Sequence, residues 1–243
     1  MPELNTYESV AKMIDHSLLN PALTVEELEA GCKLALHYDV ASVCILPYYA
    51  ERCAQLLAGS NVRTSTTIGF PHGGHRTDVK IFEAECALRD GAVELDTVIN
   101  ISKARSGDWN YVETEIHLLT DLVHSRGAKI KVIFENAYLA DADRIRLCEI
   151  CGEIGVDWVK TSTGYAPGGA TIENLKLMRK HSPPHVQVKA AGGIRDLDTL
   201  LAVRDIGVTR VGATRTAQLL DEWRRRLALD PLMVENLAAT PRA

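Results

Sequence analysis

The sequence predicts an α/β protein, a single (β/α)8 TIM barrel spanning residues 1–243 with a short N-terminal helix. Three observations lead there. Eight short apolar runs alternate with longer amphipathic ones. Gly91, Gly127, Gly155 and Gly207 each sit just past a helical pattern and just before a strand, where helices end in a left-handed residue. No linker or shift in composition divides the chain, and 243 residues is an ordinary length for such a barrel. A doubly wound open sheet is the competing architecture, but no G-x-G-x-x-G follows a strand.

The elements follow in order. KMIDHS (12–17) is the first strand. A helix over 24–38 opens on TVEE, where Thr24 and Glu27 form a capping box. Val25, Leu28, Cys32 and Ala35 then make one face. ASVCIL (41–46), RTSTTIG (63–69) and VELDTVI (93–99) are the next three strands. The helix over 108–126 aligns Val112, Ile116, Leu119 and Val123, and AKIKVIFE (128–135) is the fifth strand. The helix over 141–154 takes Asp141 as its N-cap. DWVKT (157–161) leads to a helix starting at Thr171 (171–180), and VQVKA (186–190) to one starting at Asp196 (196–206). TRVGA (209–213) closes the set, and the basic run EWRRRLALD is expected to be a solvated helix face.

Composition narrows the function. A net charge of −5 argues against nucleic acid as the main partner. No run of 18 apolar residues offers a membrane span, and MPELNTYESV lacks the basic and apolar regions of a signal peptide. Six scattered cysteines fit a reduced, cytoplasmic protein.

In a (β/α)8 barrel, chemistry gathers at the C-terminal ends of the strands. Read there, the strands offer Asp15, Cys44, Asp96, Glu135, Lys160 and Lys189. Charges interrupting apolar segments at one rim imply a site, because a buried charge is costly unless paired. Two lysines among them suggest Schiff-base chemistry. At pKa about 10.4, about one amine in 2,500 is neutral at pH 7. Burial and a second cation increase that fraction, and the aspartates would move protons. The loops TSTG (161–164), AGGIR (191–195) and GATR (212–215) form the second signal. Gly164, Gly192, Gly193 and Gly212 let backbone N–H groups approach oxygen atoms, Ser162, Thr163 and Thr214 add hydroxyls, and Arg195 and Arg215 add charge. Loops after strands seven and eight commonly bind phosphate in this fold.

The segments IDHSLLN, VCILP, TTIGFPHG, GAVELDTVINI, KVIFENAYL, VKTSTG and VKAAGGIR together resemble the deoxyribose-phosphate aldolase family, class I aldolases on this barrel, from Asp15 to about Gln218. The resemblance implies reversible cleavage of 2-deoxy-D-ribose 5-phosphate to acetaldehyde and D-glyceraldehyde 3-phosphate. It implies Lys160 as the Schiff-base nucleophile and Lys189 as the partner that keeps it neutral. Asp96 would work with a bound water in proton transfer, and Asp15 would orient Lys189. Ser17 and Asn20 fall where the family contacts sugar hydroxyls; Gly164, Gly192, Gly193 and Thr214 fall at its phosphate positions. Cys44 is expected to wall the pocket. No cofactor and no metal are expected beyond the covalent imine on Lys160. The partners are then a phosphosugar and acetaldehyde, with a homo-oligomer, dimer or tetramer, as the assembly.

The chain departs from the family pattern at three places. Tyr165 stands where many members have a lysine near the phosphate. Thr214 and Arg215 stand where many have two serines, so Arg215 is a candidate to replace the missing cation. The chain ends AATPRA, without the terminal tyrosine of some members. Two other readings stay open: the same chemistry on another short aldehyde or sugar phosphate, and a non-catalytic phosphosugar-binding barrel. His72 and His75 lack an evident third ligand, and Cys148 and Cys151 read as helix core. Glu135 reads as a supporting residue.

Overall fold

A computed structural model describes residues 6–229. A short helix α1 (Glu8–Ala11) precedes strand β1 (Ile14–Leu18) and helix α2 (Val25–His37). Then come β2 (Ser42–Ile45), α3 (Ala50–Leu57), β3 (Arg63–Ile68), α4 (Thr77–Arg89) and β4 (Glu94–Val98). Helices α5 (Ile101–Arg105) and α6 (Trp109–Ser125) lead to β5 (Lys129–Ile133), α7 (Asp141–Ile154), β6 (Trp158–Lys160) and α8 (Ile172–His181). The last units are β7 (Gln187–Ala191), α9 (Leu197–Asp205), β8 (Val208–Ala213) and α10 (Thr216–Arg226). The eight strands pair in parallel and β8 closes onto β1, giving the expected barrel. The expectations for residues 1–5 and for AATPRA lie outside the described residues.

Period-two alternation along the strands builds two different layers. Val43, Ile45, Leu95, Ile130, Val132, Val159, Val188 and Val211 are buried. They belong to one continuous core with the helix stripes Leu28–Cys32–Ala35 and Val112–Ile116–Leu119–Val123. Each large aliphatic side chain so buried contributes about 1.5–3 kcal/mol. The alternate residues point into the barrel, and there they are polar: Asp15, Ser42, Ser65, Glu94, Asp96, Lys131, Lys160, Lys189 and Arg210 are all buried. The interruptions in the apolar strand pattern are therefore the interior of the barrel.

The local signals mostly hold. Thr24 and Glu27 form their capping box, and Thr171 and Asp196 cap α8 and α9. Gly155 ends α7 in the left-handed conformation at φ 82°. Asp141 is a correction: it is the first helical residue, and the Asp143 carboxylate caps this end by accepting the Ala140 N–H at 3.0 Å. Helix α4 escapes the apolar-stripe reading because its buried face is Lys80, Ala84 and Ala87, while Phe82 faces solvent. Lys80 is tolerated there because its amine donates to the Val98 carbonyl and to Glu115, both at 2.7 Å. In the basic run, Arg225 and Arg226 pair at the surface with Glu222 and Asp198.

Candidate active site

The strands set the depth of each charged side chain. Lys160 ends β6 and is in register with Lys189, which is in register with Arg210. Asp96 lies opposite Lys131, and Asp15 opposite Gly212. Asp15 is the second residue of β1, and Asp96 and Lys189 are the middle residues of β4 and β7. The expectation that these groups sit at the strand ends is thus corrected. Only Lys160 does; the others lie within the strands, inside the barrel.

Asp96 is the hub. Its Oδ2 accepts from Lys160 Nζ at 2.7 Å and from Lys189 Nζ at 2.8 Å, while its Oδ1 accepts from Lys131 Nζ at 2.8 Å. Lys189 also donates to Asp15 Oδ2 at 2.5 Å, and Ser42 Oγ donates to Asp15 Oδ1 at 2.7 Å. Burial opposes the charge of both carboxylates. Arg210, Lys189 and Lys131 nevertheless hold Asp15 well below the usual carboxylate range, and Lys131, Lys160 and Lys189 do the same for Asp96. The two catalytic candidates diverge. Burial lowers the Lys160 pKa, and the Lys189 charge adds to that against the pull of Asp96. Lys189 is buried too, but Asp15 and Asp96 together raise it. Lys160 is thus the amine that gives up its proton most readily, and burial is the larger cause, ahead of the like-charged neighbour.

Above this cluster opens a cavity of about 1040 Å³. Asp15, Lys160, Lys189 and Cys44 form its floor; Ser17 and Asn20 line it on the β1 side. Thr163, Gly164, Gly192, Gly193, Arg195, Gly212, Thr214 and Arg215 line the side built by the last three loops. Apart from Asp96, buried below, and Ser162, buried outside the cavity lining, the candidate residues therefore meet in one space. Cys44 is 2 % exposed, and burial raises its thiol pKa, so it is a wall with little thiolate character. The loops after β6 and β7 touch backbone to backbone. Ala170 N–H reaches the carbonyls of Ala191 and Gly192, and a side chain on Gly169 would meet the Gly192 carbonyl at 2.6 Å.

Tyr165 fastens the cavity mouth. Its hydroxyl donates to the Leu19 carbonyl at 2.7 Å, and its ring meets Phe70 edge-on at 5.5 Å. Thr163 Oγ1 accepts the Tyr165 N–H at 3.0 Å and donates to Glu135, which has φ 57° and is buried. Glu135 thus supports the loop after β6 and does not pair with a rim lysine. His72 lines an adjoining cavity; among the described residues no group of three or more His, Cys, Asp or Glu side chains is placed to hold a metal ion. Cys148 and Cys151 are buried on α7, as helix core.

His16 holds the opposite wall. Its Nδ1 lies 2.8 Å from Thr216 Oγ1, at the first residue of α10, and burial lowers its pKa to about 4. Below pH about 6.5 the unfolded chain takes up a proton that the folded chain refuses. Stability therefore falls as pH drops toward 4. Denaturant midpoints should show wild type losing about 2 kcal/mol between pH 7 and pH 5 from this group, and His16→Gln should remove that part of the slope.

The sequence reading missed Lys131, Glu94 and Arg210. Lys131 Nζ lies 2.7 Å from Glu94 Oε2, and Arg210 bonds Glu94 at 2.8 and 3.0 Å as well as Asp15. The available signal was spacing: Glu94 is two residues before Asp96 and so faces the same way, inward.

In sequence and fold the chain is similar to known aldolases. The profile of the DeoC/LacD family aldolases matches residues 9–224. A deoxyribose-phosphate aldolase of Rhodopirellula baltica is 60% identical over 94% of this chain and 95% of its own length. One from Caldanaerobacter subterraneus is 43% identical over 90% and 95%. Among solved structures, a tetrameric deoxyribose phosphate aldolase from Aeropyrum pernix superposes with a TM-score of 0.84 at 29% identity, over 90% of this chain and 92% of that one.

Proposed function

The chain belongs to the DeoC/LacD family of aldolases, and from that premise we propose that it reversibly cleaves 2-deoxy-D-ribose 5-phosphate to acetaldehyde and D-glyceraldehyde 3-phosphate through an imine on Lys160. The observation that carries this reading is the pair of buried lysines on one carboxylate, with Lys160 lowered and Lys189 raised.

Neutral Lys160 attacks C1 of the open-chain sugar, and the carbinolamine loses water to give an iminium. A two-carbon product fixes the breaking bond as C2–C3. Its electron pair flows to the iminium nitrogen and leaves an enamine, while the C3 hydroxyl gives up its proton and becomes the aldehyde of glyceraldehyde 3-phosphate. Asp96 takes that proton through a water, with Lys189 and Asp15 behind it as the relay. Asp96 alone is a weak base, since three lysines hold it charged. Protonation of the enamine and hydrolysis then release acetaldehyde and free Lys160.

The phosphate end belongs at Gly164, Gly192, Gly193, Gly212 and Thr214, with Arg195 and Arg215 adding charge. Residue 215 directly precedes α10, whose N-terminus favours an anion. Ser17 and Asn20 face the hydroxyls; Asn20 Oδ1 already accepts the Ala22 N–H at 2.9 Å, which leaves its amide N–H groups for substrate. We read residues 1–243 as one barrel domain that needs no metal and assembles as a dimer or tetramer. The tetrameric relative supports the assembly. No described helix is long and apolar enough to cross a membrane, and six free cysteines suit a reducing cytoplasm.

The test combines two measurements on one preparation. A coupled assay should detect glyceraldehyde 3-phosphate from deoxyribose 5-phosphate, with a much higher KM for unphosphorylated deoxyribose. Borohydride added with substrate should leave a stable mass increment on Lys160. Turnover with the label on another residue would refute the assignment of Lys160. Binding of the phosphosugar without turnover or label would favour a binding protein.

A further inference from the structure

Resting on Lys160 as the nucleophile, we propose that Lys131, Glu94 and Arg210, which do not line the cavity, choose Lys160 as the neutral amine by completing a closed ring of alternating charge from which Lys160 is left out. The ring can be walked on contacts alone. Asp96 meets Lys131 at 2.8 Å, and Lys131 meets Glu94 at 2.7 Å. Glu94 meets Arg210 at 2.8 Å, and Arg210 bonds Asp15. Asp15 meets Lys189 at 2.5 Å, and Lys189 returns to Asp96 at 2.8 Å. Lys189 and Arg210 each touch two carboxylates, and Lys131 touches three, with Asp15 Oδ2 at 3.7 Å across the ring. Among the described residues, Lys160 touches the carboxylate of Asp96 alone.

The count then decides the protonation. Three carboxylates face three ring cations, and Lys160 is the fourth cation in a cluster whose members are at most 8 % exposed. Net charge in such an interior is expensive, and shedding one proton removes it. The proton leaves from the cation with the fewest anionic neighbours. Burial opposes charge on all four cations; the ring cations are nevertheless raised by their carboxylates, and Lys160 alone is lowered. The remaining groups facing the cluster do not alter the count. Cys44 is a thiol whose burial keeps it protonated, Ser42 and Ser65 are neutral donors, and Trp158 presents its ring to Lys131 and Arg210. Arg63 touches Glu94 at 3.3 Å from the outside and is half exposed, so solvent screens it. Glu135 is engaged with Thr163.

Two single variants and their combination read the ring. Lys131→Met leaves Asp96 and Glu94 short of a cation, so Lys160 is held charged. The acid limb of kcat/KM, and of borohydride trapping at Lys160, should move up by at least about one pH unit, which is a tenfold loss at pH values below the limb. Glu94→Gln should move the limb down. The double variant restores the count, with two carboxylates bridged by Lys189, Arg210 on Asp15 and Lys160 in surplus, and should return the limb toward wild type. Lys131 acting only as packing would give a limb that does not move and a double variant no better than the single. That result, in folded protein, overturns the proposal; if Lys131→Met does not fold, an unmoved limb in Glu94→Gln overturns it. Wild type separates the two readings. If wild type turns over without label on Lys160, the nucleophile assignment fails; if it labels normally while the variants keep its limb, only the ring fails.

Discussion

Leucine in place of Lys160 is expected to lower retro-aldol kcat/KM by at least ~10^4-fold, the scale of losing a covalent nucleophile, while leaving the barrel as stable as wild type or more so. The first half follows from chemistry. Without an amine no iminium forms, and the C2–C3 electron pair has no sink. Lys189 does not substitute, because Asp15 and Asp96 raise its pKa and hold its proton. The second half follows from burial. Lys160 is 3 % exposed, and among the described residues its amine bonds only Asp96, which keeps Lys131 and Lys189. Replacing a buried amine that stands outside the ring by an apolar side chain of similar volume removes the cost of burying a polar group without breaking the ring. The coupled assay and the borohydride mass increment check the activity; a urea midpoint checks the stability. Residual activity within tenfold of wild type would show that another amine carries the imine.

How far the sequence reached depended on whether a feature was local. The eight strands were legible because each is a short run with its own alternation. Lys160 stood out because it follows Val156, Trp158 and Val159 directly. Lys131 was harder. It shares its strand parity with Lys129, and the sequence treats them alike. In the barrel Lys129 lies at the N-terminal end of β5, away from the cavity, half exposed and paired with Asp157, while Lys131 is buried against Asp96. Depth comes from strand tilt and cross-strand register, and register is set between segments far apart in the chain. Arg210 on β8 bonding Asp15 on β1 is the same case.

The cavity walls divide in the same way. The glycines of the last three loops were readable as close-approach positions. That Gly169 and Gly192 press backbone against backbone was not, since it depends on how two loops meet. The departure at Tyr165 was visible, but its destination was not. Its hydroxyl closes on the carbonyl of Leu19, 146 positions earlier in the chain. The chemistry was legible because each reactive side chain carries a charge. The devices that hold those charges in place required coordinates.

Asn in place of Asp96 is expected to separate the two halves of the reaction. The substitution keeps shape and removes one charge from a carboxylate shared by three lysines. Lys131 and Lys189 each lose a ring contact, and uncompensated buried charge of this kind costs about 3–5 kcal/mol, which a urea midpoint at pH 7 should show. The sign of the pH dependence is fixed by the depressed pKa of Asp96. Its stabilisation is present above the unfolded pKa of about 3.9 and is lost as pH falls toward the folded value, so the gap between variant and wild type should narrow below about pH 4. In catalysis, Lys160 loses the anion that favoured its charged form, and imine formation should persist. Borohydride trapping with acetaldehyde should therefore still label Lys160. Turnover should fall by about 10²–10⁴-fold, the usual contribution of a positioned proton acceptor, because nothing then takes the C3 hydroxyl proton. Trapping lost in step with turnover would place Asp96 in imine formation instead, and turnover within a few-fold of wild type would remove it from the proton path.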